Sequence, residues 1–217
     1  MRRRFLAMVC GVLLPLVLSA DTIDLSVTSG DLHVLGPAAN AFIGASVTQG
    51  DINGDGLGDL VVGVPFASPS GRPQAGEVYV VYGDSNQAPS LDLSIAAGLL
   101  VIHGDLDGGQ LGWPVETGDV NGDGFDDIIA AATKASPPGI IKAGRAYIIH
   151  GGATLADTID LRSTPADVTL TGGIDHELGS AIATGDVDGD GLDDLVISAS
   201  QAPSYGLTQA GRVHIIY

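Results

Sequence analysis

The sequence predicts an all-β protein built from repeated sheets of about four short antiparallel strands, the blades of a β-propeller. Three observations carry that expectation. A string crowded with Asp and Gly occurs three times: GDINGDGLGD from Gly50, GDVNGDGFDD from Gly118 and GDVDGDGLDD from Gly185. The copies lie 68 and 67 residues apart, and self-similarity at a fixed period marks a repeat architecture. Between them run short stretches rich in Val, Ile and Tyr, bounded by Gly, Pro, Asp and Ser, with no helical spacing sustained over a dozen residues.

The first element is not part of that fold. Arg2, Arg3 and Arg4 precede an apolar run over 5–18 and the small residues Ser19 and Ala20, the layout of a signal peptide over 1–20, cleaved after Ala20. The rival reading, a retained anchor, needs roughly 20 apolar residues to span a bilayer, and this run is shorter. The chain is therefore expected to be exported, whether secreted, at the cell surface or in a periplasm, without membrane insertion after cleavage. Its one cysteine, Cys10, lies inside the leader, so no disulfide staples the mature chain. The net charge of −17 becomes more negative once the leader arginines are lost, which argues against nucleic acid or anionic lipid as partners. Of 26 acidic residues, 12 fall in the three loops, a concentration that points to cations.

The region 21–217 divides into repeats of approximately 31–90, 91–160 and 161–217. Each has a first strand leading into the loop, as in FIGASVTQGD, QLGWPVETGD and ELGSAIATGD. An apolar run follows, as LVVGVP, IIAAAT and LVISAS, then a third strand in AGEVYVVYG, AGRAYIIHG and AGRVHIIY. A further pair of strands lies in LDLSIAAGLLVIHG and IDLRSTPADVTLTG, with IDLSVTSGDLHVLG ahead of the first loop. DLVVGV is continuously apolar, as a strand covered on both faces would be, whereas EVYVVY alternates like a half-buried one.

The loops read as metal ligands. The first offers Asp51, Asn53, Asp55 and Asp59 at positions 1, 3, 5 and 9, with the carbonyl of Leu57 at position 7. The second offers Asp119, Asn121, Asp123, Phe125 and Asp127, and the third Asp186, Asp188, Asp190, Leu192 and Asp194. Oxygens on alternate residues converge only if the chain curls, and Gly56, Gly124 and Gly191 at position 6 permit the turn. An all-oxygen set suits a hard cation and favours Ca²⁺ over Mg²⁺, giving three Ca²⁺ sites. An EF-hand would place Glu at position 12 between helices, but Val62, Ala130 and Ile197 stand there in apolar strands. One such cluster could be an ordinary turn, while three in register favour metal. The third loop, with four carboxylates against three, is expected to bind tightest. Asp126 and Asp193 at position 8 are expected to face solvent, since the first loop has Gly58 there.

The repeated segments resemble the FG-GAP repeat, which builds the N-terminal propeller of integrin α subunits and occurs in secreted bacterial proteins. The resemblance covers nearly the whole mature chain. It implies Ca²⁺ between the first two strands of each blade and partner-binding loops on the opposite face, here Pro65 to Gly76, Ser136 to Ala143 and Ala202 to Gln209. The family's Phe-Gly becomes Ile43-Gly44, Leu111-Gly112 and Leu178-Gly179, and Gly-Ala-Pro survives as Gly63-Val64-Pro65. Its propellers have seven blades and this chain has three, so an incomplete propeller or a piece of a longer protein is expected, with self-association through open blade edges as a further possibility. In principle residues 31–36 could complete the last blade.

The function expected is a secreted calcium-binding module for adhesion or recognition of an unidentified protein or glycan. A structural spacer, or the propeller part of a hydrolase or lyase, is the alternative. Enzymatic activity is not expected: His33, His103, His150, His176 and His214 are scattered, and no G-x-S-x-G elbow is present. Trp113 and Phe42 are expected to be packing residues.

Overall fold

Short apolar runs ended by Gly and Asp suit strand pairing, and the described residues form strands joined by loops, with one 3-10 turn at Pro69–Gly71. A computed structural model describes residues 33–84 and 90–217; the expected signal peptide lies outside the described residues. The first repeat contains β1 (His33–Leu35), β2 (Ser46–Gly50), β3 (Asp59–Val64), β4 (Glu77–Val81), β5 (Ser90–Asp92) and β6 (Leu99–His103). The second contains β7 (Val115–Gly118), β8 (Asp127–Ala132), β9 (Arg145–Ile149), β10 (Thr158–Asp160) and β11 (Val168–Thr171). The third contains β12 (Leu178–Gly185), β13 (Asp194–Ala199) and β14 (Arg212–Ile216).

These strands form the sheets of an incomplete β-propeller. The first sheet is β2-β3-β4-β6, antiparallel throughout, with β10 added in parallel outside β6. The second is β7-β8-β9-β11, and the third is β12-β13-β14 among the described residues. Each four-stranded sheet thus takes its outer strand from the segment that links repeats. β1 pairs in parallel with β5, His33 opposite Ser90, and does not complete the third sheet.

The core lies between successive sheets. Ile128, Ala130 and Ala132 of β8 share one buried cluster with Val61, Val78 and Val80 of the first sheet. Ile129 of the same strand shares another with Leu195 and Ile197 of the third. A strand covered on both faces has no polar side to show, which explains the unbroken apolar run. β4 departs from the half-buried expectation for the same reason. Val78 and Val80 pack toward the second repeat, and Tyr79 and Val81 pack with Ala41, Val64 and Leu93. The Tyr79 hydroxyl is tolerated there because it donates to Glu77 Oε2 at 2.8 Å.

Where repeats meet, the backbones nearly touch. A Cβ at Gly63 would run into the carbonyl oxygen of Gly112 at the start of the next blade. On the same side, Leu111 N–H donates to Ala75 O and Leu178 N–H to Ala143 O, both at 2.9 Å, so one inter-blade bond recurs at both junctions. Gly63→Ala is expected to destabilise the fold by about 1–3 kcal/mol through overpacking against a backbone that cannot retreat, measured by urea unfolding.

Candidate metal centres

Each Asp-rich loop joins the first and second strands of its sheet: β2 to β3, β7 to β8 and β12 to β13. The local reason for the curl is a ladder of side-chain to backbone bonds. Asp51 accepts from the Asp55 and Gly56 N–H groups at 3.0 and 2.9 Å. Asn53 Oδ1 accepts from Asp55 N–H at 2.9 Å, and Asp55 Oδ1 from Leu57 N–H at 2.8 Å. The second loop repeats these contacts from Asp119, Asn121 and Asp123. The third repeats the rungs from Asp188 and Asp190, while Asp186 accepts from the Gly189 and Gly191 N–H groups. Short oxygen-bearing side chains that bond two residues onward are what bends such a loop. Position 6 takes the left-handed conformation the sequence required of it, at φ 83° in Gly56, 89° in Gly124 and 93° in Gly191.

Position 9 behaves differently from the rest. Asp59, Asp127 and Asp194 are the first residues of β3, β8 and β13, and all three are buried. Their carboxylates tie the loop to the sheet. Asp59 Oδ2 accepts from Ile52 N–H at 2.9 Å, Asp127 Oδ2 from Val120 at 3.2 Å and Asp194 Oδ2 from Val187 at 2.7 Å. The other oxygen of Asp59 accepts from Gly83 N–H at 2.8 Å, beyond the end of β4, and that of Asp127 from Gly151 at 2.9 Å, beyond β9. Burial pushes the Asp59 and Asp127 carboxyls up from the ordinary carboxylate range, against the pull of those N–H groups. The charged form therefore carries a desolvation cost in the folded chain, which a nearby cation would offset.

The donor set suits a hard cation. Oxygens of Asp186, Asp188 and Asp194 lie within 4.8 Å of one another. Ligands held at about 2.4 Å from one Ca²⁺ are at most about 4.8 Å apart, so these three can share an ion. In the other two loops the Asn amide nitrogen instead donates to the position 5 carboxylate, Asn53 Nδ2 to Asp55 Oδ2 at 3.2 Å and Asn121 Nδ2 to Asp123 Oδ2 at 3.0 Å. Leu57, Phe125 and Leu192 stand at the ladder's last rung, where their N–H groups donate to position 5.

Two sequence expectations need correction. Asp126 does not face solvent alone: its Oδ2 accepts from the Asp51 N–H of the preceding loop at 2.7 Å, and its N–H donates to Asp51 O at 3.1 Å. Asp193 repeats the second bond to Asp119 O at 3.3 Å and sets its carboxylate against Gly118. Phe42 and Trp113 are not packed away either, being 63% and 46% exposed. With Phe66 they form an aromatic cluster, with ring centroids 5.0 and 6.0 Å apart, at the strand ends opposite the acidic loops. A cleft of about 620 Å³ lies on that side too, bounded by Lys142, Asp175, Glu177, Gln201 and Gln209.

The buried and exposed aspartates should separate in mutagenesis. With chelator present, Asp59→Ala is expected to cost about 1–3 kcal/mol, because it strands two backbone donors. Asp55→Ala, whose loop bond is exposed, should cost less than about 0.5 kcal/mol. Urea unfolding of both variants in chelator checks the difference.

Comparison with known proteins agrees with this geometry. The FG-GAP repeat family model matches residues 43–81, 112–149 and 178–216, together more than half of the chain. The chain is 34% identical over 197 residues to phosphatidylinositol-glycan-specific phospholipase D of Rattus norvegicus, covering 85% of this chain and 22% of that protein. The same protein of Bos taurus matches at 34% with the same coverage. Integrin alpha-5 of Xenopus laevis is 30% identical over 182 residues, 81% of this chain and 15% of the integrin. The chain thus spans about a fifth of the phospholipase relatives. The expectation that no enzyme is involved is overturned by these matches, because relatives aligned over most of the chain bear an enzyme's name. The scattered histidines described one segment, and that segment covers 22% of those proteins. Three matched repeats, each with its acidic loop between first and second strands, place the chain in the FG-GAP repeat family.

Proposed function

We propose that each loop holds one Ca²⁺: Asp51, Asn53, Asp55, Leu57 and Asp59 in the first, Asp119, Asn121, Asp123, Phe125 and Asp127 in the second, and Asp186, Asp188, Asp190, Leu192 and Asp194 in the third. The observation that carries this reading is the convergence of three carboxylate oxygens within 4.8 Å at Asp186, Asp188 and Asp194, on a backbone ladder that all three loops share. The ion would neutralise carboxylates that the fold forces together and lock the hairpin between first and second strands. It would act as a constitutive staple, since extracellular sites of this kind bind at roughly 10⁻⁴ to 10⁻³ M.

The stapled module would then serve recognition in an exported protein. The exposed Phe42 and Trp113, joined through the half-buried Phe66, support that reading, because aromatic groups left in water on the face opposite the acidic loops suit contact with a protein or glycan. At ten times the dissociation constant of each, three filled sites contribute about 4 kcal/mol in total. Calcium is therefore expected to raise the melting temperature by about 10 °C, with chelator reversing the shift. Calorimetric melts with and without calcium check this, and identical curves would refute the sites.

The phospholipase matches favour a second reading, in which the module belongs to a longer hydrolase that cleaves a phosphatidylinositol glycan. The product of the full gene is then expected to release a glycosylphosphatidylinositol-anchored reporter from detergent micelles. No release above the no-enzyme control would remove this reading.

A further inference from the structure

We infer that Asp126 is a positioning residue that couples the cation loops of the first and second repeats, so that filling one tightens the other. The inference rests on the calcium reading above.

Asp126 occupies position 8 of the second loop, between the position 7 carbonyl of Phe125 and the position 9 carboxylate of Asp127. Any ion held by those neighbours fixes the backbone on both sides of it. From there it reaches the first loop twice. Its carboxylate receives the Asp51 N–H at 2.7 Å, and its own N–H donates to the Asp51 carbonyl at 3.1 Å. Asp51 is position 1 of the first loop and accepts the N–H groups of Asp55 and Gly56 through its side chain. Fixing the Asp51 main chain therefore fixes the root of that ladder.

The surroundings are shaped to the contact. A side chain at Gly50 would meet the Asp126 carboxylate at 2.7 Å, and one at Gly54 would collide with the Phe125 ring. Thr117 Oγ1 donates to Gln49 O at 2.7 Å beside the same junction. The second and third loops meet over the same packing. A side chain at Gly118 would meet Asp193 at 2.7 Å, Leu192 covers Gly122, and Thr184 Oγ1 donates to Thr117 O at 2.7 Å. The backbone half of the contact, Asp193 N–H to the Asp119 carbonyl at 3.3 Å, thus recurs at the second junction between repeats. Two loops that share a pair of backbone-fixing bonds cannot order independently, and what one ion gains from an ordered neighbour the other gains in return.

The test is a Ca²⁺ titration of the whole chain followed by amide NMR, with Gly56, Gly124 and Gly191 reporting their own loops. Disabling the second loop by Asp123→Ala is expected to raise the half-saturation concentration of the first loop about 5-fold or more. Asp126→Ala should raise it similarly and abolish the response to Asp123→Ala, as a double-mutant cycle requires. Asp126→Asn keeps an acceptor for the Asp51 N–H and should restore the wild-type midpoint. A purely structural Asp126 would lower the unfolding midpoint in chelator without linking the two loops. The coupling is overturned if the Gly56 midpoint ignores Asp123→Ala, or still responds to it in the Asp126→Ala background. In both cases the calcium sites themselves would stand. If none of the three glycines responds to calcium, the sites and their coupling fall together.

Discussion

A carboxylate at the start of a buried strand organises each repeat. Asp59, Asp127 and Asp194 lie where an acidic loop enters the second strand of its sheet, and burial there would be costly without partners. The N–H of position 2 bonds each of them, and in the first two repeats the N–H of a glycine past the third strand bonds the remaining oxygen. One side chain thereby fastens three backbone segments: the start of the loop, the second strand and the end of the third. The curl of the loop, the register of the hairpin and the position of every other loop oxygen follow from that anchor.

The anchor also explains why two kinds of aspartate share one loop. The side chains at positions 1, 3 and 5 reach the surface and spend part of their acceptor capacity on the loop's own N–H groups. The one at position 9 is withdrawn from water and held above the ordinary carboxylate range in the first two repeats. A cation bridging the two kinds would stabilise the charged form where burial most disfavours it. The arrangement makes the loop a hinge between the polar surface and a core in which β3, β4 and β8 are apolar on both faces.

The two ends of the blades carry different groups. Loops between first and second strands carry the carboxylates, while the opposite ends carry Phe42, Phe66 and Trp113 and the cleft between the second and third repeats. With the acidic loops confined to one side, the other varies in sequence, as the stretches 65–76, 136–143 and 202–209 do. The matches to a phospholipase and to integrins concern this shared scaffold, and scaffold likeness alone assigns no chemistry.

Much of the architecture was legible because it is local and periodic. The loop spacing, the position 6 glycines and the apolar runs state the repeat, the strand order within it and the candidate ligands, since each depends on residues a few positions apart. Contacts between repeats were not legible. Position 8 looked idle because Gly58 stands there in the first loop, yet Asp126 reaches Asp51 across 75 residues. Tyr79 looked like one side of a half-buried strand, and Phe42 and Trp113 looked like core. Their fates depend on which sheet lies against them and where the blade ends. The sequence by itself determined the unit and its candidate cation ligands; only the stacking of units decided which faces are buried, which aromatics stay in water and which loops touch, because those outcomes arise from chain segments a whole repeat apart.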